Sequence, residues 1–232
     1  MNHTPVILLH GAIGAEDQLQ NLGELLSNKG KNVYTFSFSG HGKVPFKFKG
    51  FGIDEFVEEL HDFIVFKGLI KPDVFGYSMG GFVALRLASE NPAILGSIIT
   101  LGTKFAWDPE TAIKEAAMLN AETLEEKVPK FADTLKQRHG EESWKQLLSK
   151  TADMMKALGN DKLLTEEKLK QVQNRVLIGL ADKDNMVSLE ETHNVYKLLP
   201  NASMYMLPGS KHPIEQVNTV LLSKIILDFT SQ

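Results

Sequence analysis

Cysteine is absent from the 232 residues, which excludes disulfides, a thiolate nucleophile and thiolate metal ligation. No apolar run approaches the roughly 20 residues needed to span a bilayer. The first residues, Met1-Asn2-His3-Thr4-Pro5, carry neither a charged leader nor a long apolar stretch. No signal peptide is therefore expected, and the expected compartment is the cytoplasm. Basic residues are not in excess: 25 Lys and Arg stand against 29 Asp and Glu, a net charge of −4. That balance offers no field to hold a phosphate backbone or an anionic bilayer, so neither nucleic acid nor membrane is expected as a partner. Arginine occurs only as Arg86, Arg138 and Arg175. Internal repeats and low-complexity segments are missing as well. The remaining composition, 43% hydrophobic and 23% charged, describes one globular domain of generous size, or a compact domain with a sizeable insertion.

What is present alternates. Short apolar runs at residues 6–9, 33–38, 73–77 and 97–101 are separated by helical patterns at 17–28, 54–66 and 79–89. Strands that alternate with helices point to a mostly parallel sheet covered on both faces. Asp54 is expected to cap the second helix. From residue 103 to 174 the strand pattern stops and Glu and Lys become dense, which predicts three to five helices inserted into the sheet domain rather than a second core. Asp108-Pro109 reads as a helix start, Thr123-Leu124-Glu125-Glu126 as a capping box, and Gly140 and Gly159 as helix ends. Strands resume at 175–180 and 202–207, and residues 213–228 form an amphipathic helix. The expected division is 1–102 and 175–232 as two parts of one core, with 103–174 as the insertion.

The most informative stretch is Gly76-Tyr77-Ser78-Met79-Gly80-Gly81. An apolar strand precedes it and a helix follows at once, the context of a nucleophile elbow. In such a turn strand and helix pass so closely that the positions two before and two after the serine must be small, and both are glycine. A serine hydroxyl is a poor nucleophile until a base takes its proton and a third group orients the base. Among seven histidines, His212 is the best placed, in a loop between the last strand and the last helix. It therefore lies at the carboxyl edge of the sheet, where sites form in open parallel sheets. His10 and His41 also follow strands and compete for the role. The acid is expected in the turn after residue 180, where Asp182 and Asp184 both stand.

These motifs resemble those of the α/β-hydrolase superfamily. The resemblance rests on Leu9-His10-Gly11, Gly76-Tyr77-Ser78-Met79-Gly80-Gly81, Asp184-Asn185-Met186-Val187 and Gly209-Ser210-Lys211-His212, and it covers nearly the whole chain. It implies an α/β-hydrolase fold, with a sheet of about six strands flanked by helices and an inserted helical cap. In the family the acid commonly lies three residues before a valine, which selects Asp184, with Val187 following, over Asp182. The order Ser, Asp, His along the chain is also that of the fold. The resemblance further implies an oxyanion hole made by the backbone N–H groups of Ala12 and Met79, and no cofactor or metal. Two features depart from the family: Phe38-Ser39 replaces its usual acidic residue and proline before Gly-His-Gly, and its leading antiparallel strand pair is not seen.

A small-molecule substrate is expected, held by a monomer or homodimer. Large apolar residues of the insertion, Trp107, Met118, Leu119, Trp144, Met154 and Met155, are expected mostly to pack it onto the core. Trp107 and Met118 are candidates to line the pocket, with His10 and Phe46 from the core loops and Arg138 as the arginine available to a substrate. So few arginines argue against a polyanionic substrate, because the guanidinium fork is the group best matched to carboxylates. The expected activity is hydrolysis of a small carboxylic ester or related acyl bond by Ser78, His212 and Asp184. The alternatives are carbon–carbon bond hydrolysis or a lyase step with the same triad, and a non-catalytic small-molecule receptor.

Overall fold

The computed structural model describes residues 4–231; Met1-Asn2-His3, on which part of the leader reading rests, lies outside them. Six parallel strands form one sheet in the order β2-β1-β3-β4-β5-β6. They are β1 (Val6–Leu9), β2 (Val33–Thr35), β3 (Asp73–Tyr77), β4 (Ile98–Leu101), β5 (Val176–Ala181) and β6 (Ala202–Leu207). Side chains alternate across the sheet and build two cores. Val6, Leu8, Phe75 and Tyr77 pack on one face with Leu22 and Leu26 of α1 (Gln20–Ser27) and Leu222 and Ile226 of α10 (Thr219–Thr230). Ile7, Leu9 and Val74 face the other way, onto Phe56 and Leu60 of α2 (Ile53–Phe66) and Val83 and Leu87 of α3 (Met79–Glu90). Every residue of β1 is fully buried, which explains its unbroken apolar run.

β2 is shorter than its pattern predicts. Beyond Thr35 the chain leaves the ladder, and the Phe38 and Ser39 amides donate to His10 Nε2 and Glu59 Oε2 instead. The first helix opens as a 3-10 turn at Glu16–Leu19. Asp54 does not cap α2: Gly52 occupies that position and Asp54 pairs with Arg86 at 3.1 Å. The last helix is likewise broken, with a 3-10 turn at Ile214–Gln216 before α10. One helix was not foreseen, α9 (Leu189–Leu198), although the Ser188 hydroxyl that accepts the Glu191 N–H was its visible start signal.

Between β4 and β5 lie α4 (Pro109–Ala117), α5 (Ala121–Lys127), α6 (Pro129–His139), α7 (Ser143–Asn160) and α8 (Glu166–Gln171). Asp108 caps α4, as the Asp-Pro signal requires, with Oδ1 accepting the Thr111 N–H at 2.7 Å. The capping box is displaced: Asn120 caps α5 by accepting from the Thr123 amide, so Thr123 already lies inside the helix. Gly140 ends α6 with φ 98°, whereas Gly159 lies within α7, where a Cβ would strike Ala112 and the Asp108 carbonyl. Its small size serves a helix–helix contact, not a helix end. The insertion also holds a small core of its own, with Trp144, Leu135, Leu148 and Ala132 buried together. Met154, Leu158 and Leu169, also from the insertion, join the main core.

Candidate active site

The order of the sheet puts a crevice between β1 and β3. The chain moves outward from β1 to β2 and then returns across β1 to β3, so the loops after β1 and β3 diverge at their carboxyl ends. The loop after β1 carries Ala12; the turn after β3 carries Ser78 and Met79.

Ser78 has φ 50° and ψ −115°, a backbone region costly for a residue with a Cβ. Close packing holds it there. A Cβ on Gly80 would lie 2.5 Å from the Leu9 carbonyl oxygen, and one on Gly76 would strike the Gly80–Gly81 backbone. Both glycines are therefore required by contact. The Ser78 amide donates to the Leu101 carbonyl at 2.9 Å, and the Thr103 hydroxyl donates to the Ser78 carbonyl at 3.0 Å. Thr103 is thus a support of the elbow that no sequence motif announced.

Two loops at the far edge of the sheet bring the other groups in. His212 Nδ1 donates to Asp184 Oδ2 at 2.7 Å. A carboxylate only accepts, so a hydrogen resides on Nδ1, and in the neutral imidazole Nε2 is then the nitrogen with the lone pair. The other Asp184 oxygen accepts from the Met186 and Val187 amides at 2.8 and 2.9 Å. Burial opposes the charge on Asp184, but the His212 hydrogen bond and charge, with these amides, hold its pKa below the ordinary carboxylate value. Asp182 does different work. Its Oδ1 accepts the Ser210 amide at 3.0 Å and ties the histidine loop to the acid loop, assisted by the Lys183 N–H donating to the Ser210 carbonyl.

The histidine loop reaches the elbow through Tyr77, the residue before the serine. The Tyr77 hydroxyl donates to the His212 carbonyl at 3.0 Å, and the two rings lie 5.5 Å apart. Gly102, next to the Leu101 that receives the Ser78 amide, completes the junction. With φ 62°, it is in a conformation natural to glycine, and a Cβ there would lie 3.3 Å from both Asp184 Oδ2 and the His212 ring.

A cavity of about 50 Å³ opens on Ser78, lined also by Ala12, Met79, Phe82, Trp107, Met154 and Leu158. Of the expected pocket residues, only Trp107 is in that wall. His10 is wholly buried, with Nδ1 donating to the Gly11 carbonyl and Nε2 accepting from Phe38, and burial pushes its pKa down to about 4. Phe46 packs on Phe51 and over Gly40, on the loop after β2. Met118 is exposed at the end of α4, because the apolar stripe of that helix turns toward α7. Arg138 is not available to a substrate: it bonds Asp17 at 2.9 Å and Glu215 at 3.5 Å. Lys104 lines the cavity, but its ammonium donates to the Met186 carbonyl and pairs with Glu115 at 3.7 Å. In the loop after β2, Lys47 pairs with Glu59 and Lys43 donates to the Gln137 carbonyl. No group of His, Asp or Glu side chains among the described residues is arranged to hold a metal ion.

A second residue missed in the sequence is His139. From α6 it accepts the Gly42 amide at 2.8 Å on Nδ1 and donates from Nε2 to the Ile13 carbonyl at 2.9 Å, next to Ala12. Burial, reinforced by Arg138 and opposed by the Ile13 hydrogen bond and Asp17, lowers its pKa to about 4. In the unfolded chain His10 and His139 would titrate near 6.5. As pH falls below 6.5 the unfolded state binds protons that the folded state refuses, so stability is lost down to about pH 4, on the order of 3 kcal/mol per histidine. Urea unfolding is expected to show this decline. His139→Gln can keep both hydrogen bonds without titrating and should make the decline shallower; an unchanged pH slope would refute the assignment.

Fold and elbow together define an enzyme of the α/β-hydrolase class. A family profile for the alpha/beta hydrolase fold matches residues 4–160, more than half of the chain, and the chain belongs to that family. It is similar to a monoacylglycerol lipase from Paleococcus ferrophilus, with 21% identity, a TM-score of 0.70, and 98% of this chain and 95% of that one covered. It is also similar to a carboxylesterase of the Thaumarchaeon Nitrososphaera gargenis, with 17% identity, a TM-score of 0.80, and 99% and 90% covered. At these identities the likeness is one of fold. Among curated proteins it is 26% identical over 154 residues to a probable alcohol acetyltransferase of Cyberlindnera fabianii, covering 66% of this chain and 39% of that protein. The chain thus matches well under half the length of that relative. No helix among the described residues is long and apolar enough to cross a membrane.

Proposed function

We propose that the protein is a serine hydrolase of small, uncharged carboxylic esters or related acyl bonds, with Ser78, His212 and Asp184 as its triad and the helical insertion as its cap. The observation that carries this reading is the 2.7 Å Asp184–His212 hydrogen bond, which puts a hydrogen on Nδ1 and so makes Nε2 the basic nitrogen of the neutral imidazole, at the same edge of the sheet as Ser78. In this mechanism the Ser78 hydroxyl gives its proton to Nε2 as Oγ bonds the acyl carbon. The Ala12 and Met79 N–H groups hold the resulting oxyanion, a type of contact worth about 3 kcal/mol per donor. Collapse breaks the ester C–O bond, and the departing alcohol takes the proton from His212. Water, deprotonated by His212, then cleaves the acyl-enzyme and restores Ser78. The engagement of Lys104 and Arg138 by acidic partners supports an uncharged substrate.

The curated relative's name favours a second reading, in which an alcohol instead of water accepts the acyl group from the same intermediate. A fluorophosphonate probe is expected to label Ser78, and ester turnover in the presence of ethanol separates the readings: free acid supports hydrolysis, a new ethyl ester supports transfer. Folded protein that the probe leaves unlabelled would count against both.

A further inference from the structure

The cavity over Ser78 is small, and its walls separate it from two larger ones. Its roughly 50 Å³ compares with about 400 Å³ for the cavity beyond Phe82 and Trp107, and about 350 Å³ for the one beyond Ile53 and Met154. Leu158 is the one residue that lines all three. It projects from α7, is 5% exposed, and packs in the main core with Phe82 and Met154. A single side chain thus stands at the meeting of the partitions.

The direction of the chemistry says which part of the substrate meets this wall. The leaving alcohol must receive its proton from His212, so it lies on the histidine side of the scissile bond. His212 does not line the small cavity, which is bounded instead by Ala12, Ile53, Phe82, Met154, Met155 and Leu158. The acyl chain is therefore the part that enters it. A water needs about 10–15 Å³ of such space, so about 50 Å³ holds on the order of four heavy atoms. The wall is apolar and its one ammonium, on Lys104, is already bound, so the acyl group is uncharged.

We infer that the enzyme takes acyl groups of roughly two to four carbons and that Leu158 is the specificity-determining residue that closes the acyl cavity against longer chains. This rests on the serine-hydrolase reading above. Removing the Leu158 side chain opens the cavity into its two neighbours, while the elbow, Asp184 and His212 are untouched.

The test is a panel of p-nitrophenyl esters from acetate to decanoate, read as kcat/KM, on the wild type, Leu158→Ala and Leu158→Val, with fluorophosphonate labelling of each. The wild type is expected to prefer acetate or butyrate over octanoate by at least about tenfold, since one or two misfitting methylenes are already worth that much in an apolar pocket. Leu158→Ala should raise the octanoate-to-acetate ratio about tenfold or more, and Leu158→Val by a smaller step in the same direction. Valine provides the reading if alanine, which leaves a cavity in the core, unfolds the protein. A labelled wild type that cleaves octanoate as well as acetate overturns the size limit but not the hydrolase. Folded variants with the wild-type ratio overturn the role of Leu158. A wild type that neither labels nor cleaves any ester overturns the hydrolase reading, and this inference with it.

Discussion

Ser78→Ala is expected to lower kcat on a good ester by about six orders of magnitude, with the thermal unfolding profile little changed. The substitution removes only the Oγ atom. Alanine keeps the Cβ, so the elbow at φ 50° is neither relieved nor further strained, and the contacts that hold it, from the Ser78 amide to Leu101 and from Thr103 to the Ser78 carbonyl, are backbone contacts at residue 78. His212→Ala should cost about as much. The double variant should be no worse than either, because in the proposed mechanism the two residues act in one step and their losses do not add. A residual rate above the uncatalysed one should survive, carried by the Ala12 and Met79 amides. Residual activity within a hundredfold of wild type in Ser78→Ala would remove serine as the nucleophile.

The second large effect separates the two aspartates. Asp184→Ala should lower kcat by about four orders of magnitude, since His212 would lose the acceptor that fixes its Nδ1–H tautomer and stabilises the imidazolium. Asp182→Ala should cost far less in kcat, roughly tenfold at most by comparison, and should show instead as a lower unfolding temperature, because its carboxylate holds the Ser210 amide. A larger kinetic loss at Asp182 would reverse the assignment. The lowered pKa of Asp184 gives this pair a definite pH sense. Its stabilising contribution is present above the unfolded carboxylate pKa and fades as pH falls through the lower folded one.

Most of the architecture could be read from one dimension because its causes are local. The apolar run at β1 is unbroken because the strand is buried on both faces, and the alternation of strand and helix dictates parallel pairing. The glycines around Ser78 could be interpreted because a tight strand-to-helix passage admits nothing larger. The misplaced features depended on competition that was distant for two of them and local for the third. β2 ends early because His10 and Glu59, from other elements, take the amides of Phe38 and Ser39. Thr123 lost the cap of α5 to Asn120, three residues earlier, and Gly159 faces a partner helix no local rule could supply.

The candidate site divides in the same way. Residue types in order along the chain were enough to nominate Ser78, His212 and an acid at Asp182 or Asp184, since nucleophile, acid and base must each follow a strand to reach the same edge. The preference for Asp184 came from the family resemblance. Of the expected pocket residues only Trp107 lines the cavity. Phe46, Met118 and Arg138 are plausible lining residues by type, but Phe46 packs on its own loop, Met118 faces outward, and Arg138 is held by Asp17 and Glu215, one before α1 and one before α10. His139, Thr103 and Leu158 carry no motif at all. Motif positions are set by backbone geometry, which sequence spacing records; the walls of a cavity are set by which side chains of remote helices meet above it, and that information exists only once the chain has folded.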